Sequence, residues 1–356
     1  MNLKDVWNFR ITQVGVGLVD NAINQSLAEH NRQMDAMMSL FVETTTDFKT
    51  TFVAPQVGRL QGLDENGKAR TVKLVGRYDV SLPLKMAGTA WGANYITKVK
   101  MTVEEAARFT NVLTDFDARW MKDNLLAAIF QNGTYSVNDP RAGTLTIAGL
   151  ANGDSTPYQV PLGGDTATTN HNHYLAQAAG IADASNPFPT IWQHLIEHPE
   201  NGSMDTEIIC FVPDSQLTAV QNLANFRPVF PPQLRPAATE QVLTATLSDS
   251  VPGRVVGFTN RCWIVHWPSL PADYVVAVAT QGPKAIAMRQ EPEPELQGFN
   301  RVADDGDLPD ADEYPFWHCQ YQRIAGFAGW NRVGALVYRI GNASYAVPSG
   351  LTQPLP

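Results

Sequence analysis

The order of apolar and polar positions divides the chain into distinct elements. Between residues 18 and 42, Val19, Ile23, Leu27, Met34, Met38 and Phe41 recur at helical spacing among Asn, Gln, Asp and Glu. A single narrow stripe predicts a helix lying on another surface, not one inside a core. Residues 50–82 read as a long hairpin. Asn66-Gly67 is a turn pair in which both residues accept positive φ. Beyond it Val72, Leu74, Gly76, Tyr78, Val80 and Leu82 alternate with Thr71, Lys73, Val75, Arg77, Asp79 and Ser81. A further strand over Tyr95–Met101 leads into the longest helix. Thr102-Val-Glu-Glu105 is a capping box, the hydroxyl meeting a free amide while the carboxylate reaches back. Phe109, Leu113, Phe116 and Trp120 form its apolar stripe, Leu125–Phe130 is apolar on every side, and Asn132-Gly133 closes it. At 1.5 Å per residue this helix is ~43 Å long.

Residues 134–188 are rich in Gly, Asn, Thr and Pro and predict loops. A compact α/β pattern follows. It has a short helix over Thr190–His198 stopped by Pro199, then an apolar strand Glu207–Val212, then a helix capped by Asp214. Strands are expected at Arg254–Phe258, Cys262–Val265 and Asp273–Ala279, and again at Phe316–Ile324 and Ala335–Ile340. The chain shows no tandem repeat.

Composition changes this picture in two ways. The 356 residues carry only 17% charged side chains, against roughly 25% in a typical soluble domain. That deficit, beside an ordinary apolar share, fits a subunit whose outside is largely covered by neighbours. The net charge of −9 is also unevenly spread. Residues 49–100 carry nine basic and three acidic groups, whereas residues 289–313 carry two basic and nine acidic. Two such patches can meet between copies of one chain. The candidate contacts are Arg59, Lys68, Arg70, Lys73 and Arg77 with Glu291, Glu293, Glu295, Asp304, Asp305 and Asp307. Overall acidity argues against a dedicated nucleic-acid reader. No apolar run approaches the roughly 18 residues of a membrane span, and the first residues hold no apolar signal core. Cys210 and Cys262, each in an apolar run, read as buried thiols.

Candidate chemistry is sparse. His194-Leu-Ile-Glu-His198 matches the His-x-x-Glu-His pattern of inverted zinc peptidases, with Glu197 as general base. The alternative packs Trp192, Leu195 and Ile196 inward and leaves both histidines in solvent. His171-Asn-His173 is a pair in a loop without neighbouring Cys or clustered carboxylates. Gly15-Val-Gly17, after the strand-like Ile11–Val14, resembles half of a dinucleotide fingerprint, but the third glycine would fall on Asp20. Asp304-Asp305-Gly-Asp307 hints at a calcium loop that lacks its terminal bidentate Glu. No catalytic, cofactor or metal site is expected.

The order of elements is more informative. A polar N-terminal helix, a long basic hairpin, one capped helix, a compact α/β insertion and returning strands resemble the major capsid proteins of tailed bacteriophages, an α+β Hong Kong 97-like capsid fold. Gly253-Arg-Val-Val-Gly-Phe258, Ser269-Leu-Pro-Ala-Asp-Tyr274 and Arg323–Ile340, with Gly326-Phe and Gly334-Ala-Leu, look like that family's strands and Leu-Pro turn. The resemblance implies an N-terminal arm at 1–48, an extended loop at 49–100 and a peripheral domain at 101–159 and 286–347. The spine helix would be 102–132, the axial domain 160–285 and the tail 348–356. It implies self-assembly into hexamers and pentamers of an icosahedral head around double-stranded DNA, touched without sequence preference, in a virion assembled in the bacterial cytoplasm. Hinges are expected at the loop roots, near Gly88 and Gly92. An arm helix starting near residue 18 leaves no room for a cleaved scaffolding segment, so a separate scaffolding protein is expected, with a portal and a decoration or cement protein. Cross-linking occurs in one branch of that family; Lys68 and Asn331 have suitable chemistry, though nothing in the sequence places them together. An encapsulin-type shell of the same fold and a zinc hydrolase are the alternatives.

Overall fold

The computed structural model describes residues 7–53, 63, 65, 67–68, 77–94, 100–156, 158–159, 166–167, 171–198, 201, 206–229, 253–304 and 316–355. Its elements run in the following order. Helices α1 (Ile11–Val14) and α2 (Val16–Met38) come first, then strands β1 (Val42–Thr45), β2 (Lys49–Val53), β3 (Arg77–Ser81) and β4 (Lys85–Asn94). Helix α3 (Val103–Phe130) is followed by β5 (Tyr135–Asp139), β6 (Gly143–Ile147), β7 (Tyr158–Gln159), β8 (Thr166–Ala167) and β9 (Tyr174–Gln177). Next come α4 (Phe188–Ile196), β10 (Ile208–Val212), α5 (Asp214–Gln221) and β11 (Arg227–Pro228). The chain closes with β12 (Arg254–Thr259), β13 (Cys262–His266), β14 (Tyr274–Ala279), β15 (Ile286–Gln290), β16 (Phe299–Asp304), β17 (Phe316–Gly329) and β18 (Ala335–Ile340).

The N-terminal stripe does what its spacing predicts. Val19 packs with Met101, Val103 and Ala106, Leu27 packs with Leu113, Phe299 and Tyr321, and Met34, Met38 and Phe41 enter the main core. Ile11–Val14, read as strand-like, is instead one helical turn, and Gly15 at φ +106° separates it from α2. Gly15-Val-Gly17 therefore follows no strand, and the dinucleotide reading loses its context.

Helix α3 has the predicted capping box: Glu105 N donates to Thr102 Oγ1 (3.2 Å) and Thr102 N donates to Glu105 (3.0 Å). Its buried face differs from the predicted stripe. Val103, Ala106, Thr110, Leu113, Asp117, Met121 and Asn124 are buried at steps of three or four, and Leu125–Phe130 is buried throughout. Phe109 and Phe116, expected beside Leu113, are 43% and 49% exposed.

The mixed α+β architecture is completed by two large sheets. In the first, β1 pairs parallel with β15, β15 and β16 each pair antiparallel with β17, and β4 pairs with β17 along ten residues. Gly88 and Gly92, expected as loop-root hinges, lie inside β4 opposite Gln322 and His318. A Cβ at Gly326 of β17 would stand 2.2 Å from the Pro83 carbonyl oxygen, so only glycine lets that strand pass beneath the Pro83–Leu84 turn. The second sheet has the order β11-β12-β13-β10-β14-β18-β9. Strand β18, expected to return to the first domain, lies here between β14 and β9. The stretch 134–188, expected as loop, supplies the β5–β6 hairpin and the edge strand β9. Helices α4 and α5 cover one face of this sheet through Phe188, Ile191, Leu195 and Val220, packed on Ile208, Cys210, Val275 and Leu336. Among the described residues, no helix is long and apolar enough to cross a membrane.

Candidate functional site: charged surfaces and a histidine cluster

The base of the predicted hairpin is present as β2 paired antiparallel with β3. Arg59, Arg70 and Lys73 lie outside the described residues, as do Asn66, Tyr95, Asp305 and Asp307, and with Asp305 and Asp307 the calcium-like run. Lys68 and Arg77 are exposed. On the acidic side, Arg141 of the β5–β6 turn reaches Glu291 (3.2 Å) and Glu293 (3.7 Å) within the same chain. Glu291 is largely buried by this contact, whereas Glu295 is exposed. Asp304 ends β16. Asn331 is buried, its amide donating to the Pro283 carbonyl (3.4 Å), so the fold does not present it for cross-linking.

Two buried ion pairs lock the first sheet to its surroundings. Arg323 on β17 grips Asp117 on α3 through two bonds (2.5 and 2.7 Å), while His30 Nε2 lies 2.7 Å from the same carboxylate. Arg323 also donates to Asn31 (2.8 Å), which in turn accepts from Phe299 N (2.8 Å). The clamp joins α2, α3, β16 and β17 at one point. Burial alone would raise the Asp117 carboxyl; hydrogen bonds from His30 and Arg323 outweigh it and hold the group below its ordinary value. Arg289 on β15 pairs likewise with Asp139 (2.6 Å), which also accepts from the Arg141 and Ala142 amides.

Among the described residues, several large apolar side chains are exposed. Val112 and Phe116 on α3 are 47% and 49% exposed, Leu18 on α2 is 58% exposed and Met86 on β4 76%. Beside Phe116 a groove of about 280 Å³ runs between α3 and the β4–β17 ladder, lined by Gly88, Phe116, Trp120 and Phe299.

The structure assembles one cluster that the sequence did not assign. His171 and His173 approach β9 along an extended segment, so both side chains fall on one face. Their backbone is fixed from two sides: Gly153 N donates to His171 O (2.5 Å), His173 N to Ala151 O (2.8 Å), and Val337 N of β18 to His173 O (2.8 Å). Arg332 anchors the neighbouring segment through Gly149 O (2.7 Å), Leu150 O (3.1 Å) and Asp154 (2.5 Å). His198 arrives from the end of α4. Asn201 secures that end by donating its side-chain amide to Val333 O (3.1 Å). The three Nε2 atoms converge, with His171–His173 at 2.7 Å, His171–His198 at 2.8 Å and His173–His198 at 3.1 Å. His198, expected in solvent, is buried, and His173 is wholly buried. Burial, then repulsion from neighbouring imidazoles, lowers His173 well below its ordinary value, and burial with His194 lowers His171 to about 4. These residues form a three-imidazole group, a juxtaposition that the sequence reading did not anticipate. His194, the predicted partner of His198, is not a member. Glu197 lies 3.3 Å from His171 Nδ1. The sequence signal for two of the three converging rings is the His-x-His alternation at a strand entrance.

No protein-family model and no curated protein matches the sequence. Solved structures do. The chain is similar to a structure from Mycobacterium phage Patience, with 19% identity and a TM-score of 0.72 over 99% of this chain and 96% of that one. It is also similar to the Cyanophage Pam1 capsid asymmetric unit, with 12% identity and a TM-score of 0.50 over 85% of this chain and 89% of that one. Along nearly its whole length, then, the chain has the fold of a mycobacteriophage protein, and more loosely that of a cyanophage capsid subunit.

Proposed function

We propose that this chain is the major shell protein of a tailed bacteriophage, with the Hong Kong 97-like subdivision of arm, extended loop, peripheral and axial regions. The observation that carries the reading is the fold match over 99% of this chain and 96% of the phage chain. In this reading copies form hexamers and pentamers that close around double-stranded DNA, with scaffold, portal and decoration proteins as separate partners. The exposed Val112 and Phe116, one turn apart on α3, with a groove beside Phe116, support it as surface that a neighbouring subunit would cover. The subdivision keeps the arm at 1–48, the loop at 49–100 and the axial region at 160–285. It adds β18 to the axial sheet, as the pairing of that strand supports.

The basic hairpin then lies over the acidic strip of an adjacent copy. Because Arg141 already engages Glu291 and Glu293, the intersubunit share falls on Glu295, Asp304, Asp305 and Asp307. Each exposed pair is worth only about 0–1 kcal/mol and is screened by salt, so these charges steer register while apolar contacts hold the shell. Electron microscopy of the purified protein tests the reading, with closed or tubular shells as the expected result and a uniform small oligomer as the opposing one. In the same preparation Lys73→Glu with Arg77→Glu should abolish shells and leave the subunit folded.

A further inference from the structure

We propose that His171, His173 and His198 bind one divalent transition-metal ion of the zinc class in a structural role. The inference starts from proton positions. His173 Nδ1 lies 2.7 Å from the Ala335 carbonyl oxygen, an acceptor only, so Nδ1 carries the hydrogen and Nε2 a lone pair. His171 Nδ1 lies 3.3 Å from the Glu197 carboxylate, an acceptor-only group whose charge favours the hydrogen on Nδ1 and a bare Nε2. Two lone pairs therefore stand 2.7 Å apart with no proton between them. A hydrogen on His198 Nε2 serves one of its two contacts at a time and leaves the His171–His173 contact unrelieved. Adding protons to the His173 and His198 rings is opposed by their burial. A cation at the point where the three nitrogens converge removes the conflict.

The surroundings fit that ion. Imidazole nitrogen is a standard ligand for zinc, copper and nickel. Zinc–nitrogen bonds of ~2.0–2.1 Å in tetrahedral geometry place nitrogens ~3.3 Å apart, so the three contacts open by ~0.2–0.6 Å. Each of two ligands already has the outer partner that orients a metal-bound histidine: a backbone carbonyl for His173 and a carboxylate for His171. The three ligands come from the entrance to β9 and the end of α4, and the Ala335 carbonyl belongs to β18. An ion there staples the edge strand of the seven-stranded sheet to the helix covering it. The inference is independent of shell formation.

The test uses the full chain, freed of metal by chelator and then given Zn²⁺ or Co²⁺. About one zinc per chain should be retained after gel filtration, Co²⁺ should show visible d–d absorption, and zinc should raise the melting temperature by at least ~2 °C. His171→Ala and His198→Ala should each weaken binding at least ~10-fold, while His194→Ala binds as the unaltered chain does. Retention below ~0.2 zinc per unaltered chain, or unchanged binding in a folded His171→Ala/His198→Ala double variant, overturns the proposal. Because the unaltered chain is measured directly, a variant that fails to fold does not leave the question open.

Discussion

The two sheets share one apolar core but differ in what else holds them. In the seven-stranded sheet β10, β14 and β18 read Ile-Ile-Cys-Phe-Val, Tyr-Val-Val-Ala-Val-Ala and Ala-Leu-Val-Tyr-Arg-Ile, and they are buried almost throughout. Their stability is that of apolar area withdrawn from water on both faces. In the five-stranded sheet β4 reads Lys-Met-Ala-Gly-Thr-Ala-Trp-Gly-Ala-Asn, and β15 and β17 each carry a buried arginine. That sheet is positioned by ion pairs to α3 and to the β5–β6 hairpin. Packing tolerates acid and fails when volume is removed; a buried ion pair keeps its volume and fails when a charge is lost.

Four measurements would break or sharpen this contrast. The largest effect is expected from Phe211→Ala on β10, which removes a ring packed 4.8 Å from Phe41 and 5.5 Å from Trp267. Urea unfolding should show a loss of about 3–5 kcal/mol. Asp117→Asn keeps the shape of the clamp and removes its charge, and should cost about 1.5–3 kcal/mol by the same method. The pH dependence distinguishes the two variants. The Asp117 carboxyl is depressed in the folded chain, so its contribution is fully present above the unfolded value of about 3.9 and is lost as pH falls through the lower folded value. Asp117→Asn should flatten the acid limb of the stability curve; Phe211→Ala should lower the curve without changing its slope there. Next comes Thr102→Ala at the α3 cap, with a cost of about 1 kcal/mol in thermal unfolding. Smallest of all in the isolated subunit is Phe116→Ser, within about 0.5 kcal/mol, although light scattering should show assembly strongly reduced. A large stability loss from Phe116→Ser would mean that this exposed ring serves the subunit's own fold.

The same contrast decides what was legible. Ala335–Ile340 has the bounds its residues predict, and β10, β12, β13 and β14 differ from prediction by a residue or so, because strands buried on both faces must be apolar runs. Strands β1, β4, β15 and β16 went unread. Their glycines, alanines, threonines and charged residues have no strand signature, and their partners lie far along the chain: Val42 opposite Ile286, Lys85 opposite Ala325. Helix α3 was found by its cap, but its inward face was misread, because it is marked by Thr110, Asp117 and Asn124 as much as by apolar residues. The histidine cluster illustrates the same limit. Periodicity links residues within one element, whereas His171 and His198 come from different elements and meet only through tertiary packing.

The position of β18 bears on synthesis. Among the described residues strand β9 pairs within its sheet with β18 alone, and that partner, Val337–Ile340, is made some 160 residues later. At about 5–20 residues per second, β9 waits on the order of ten to thirty seconds on the ribosome before its edge is closed. A chain made only as far as β14 therefore cannot finish the seven-stranded sheet, because β9 joins it through β18.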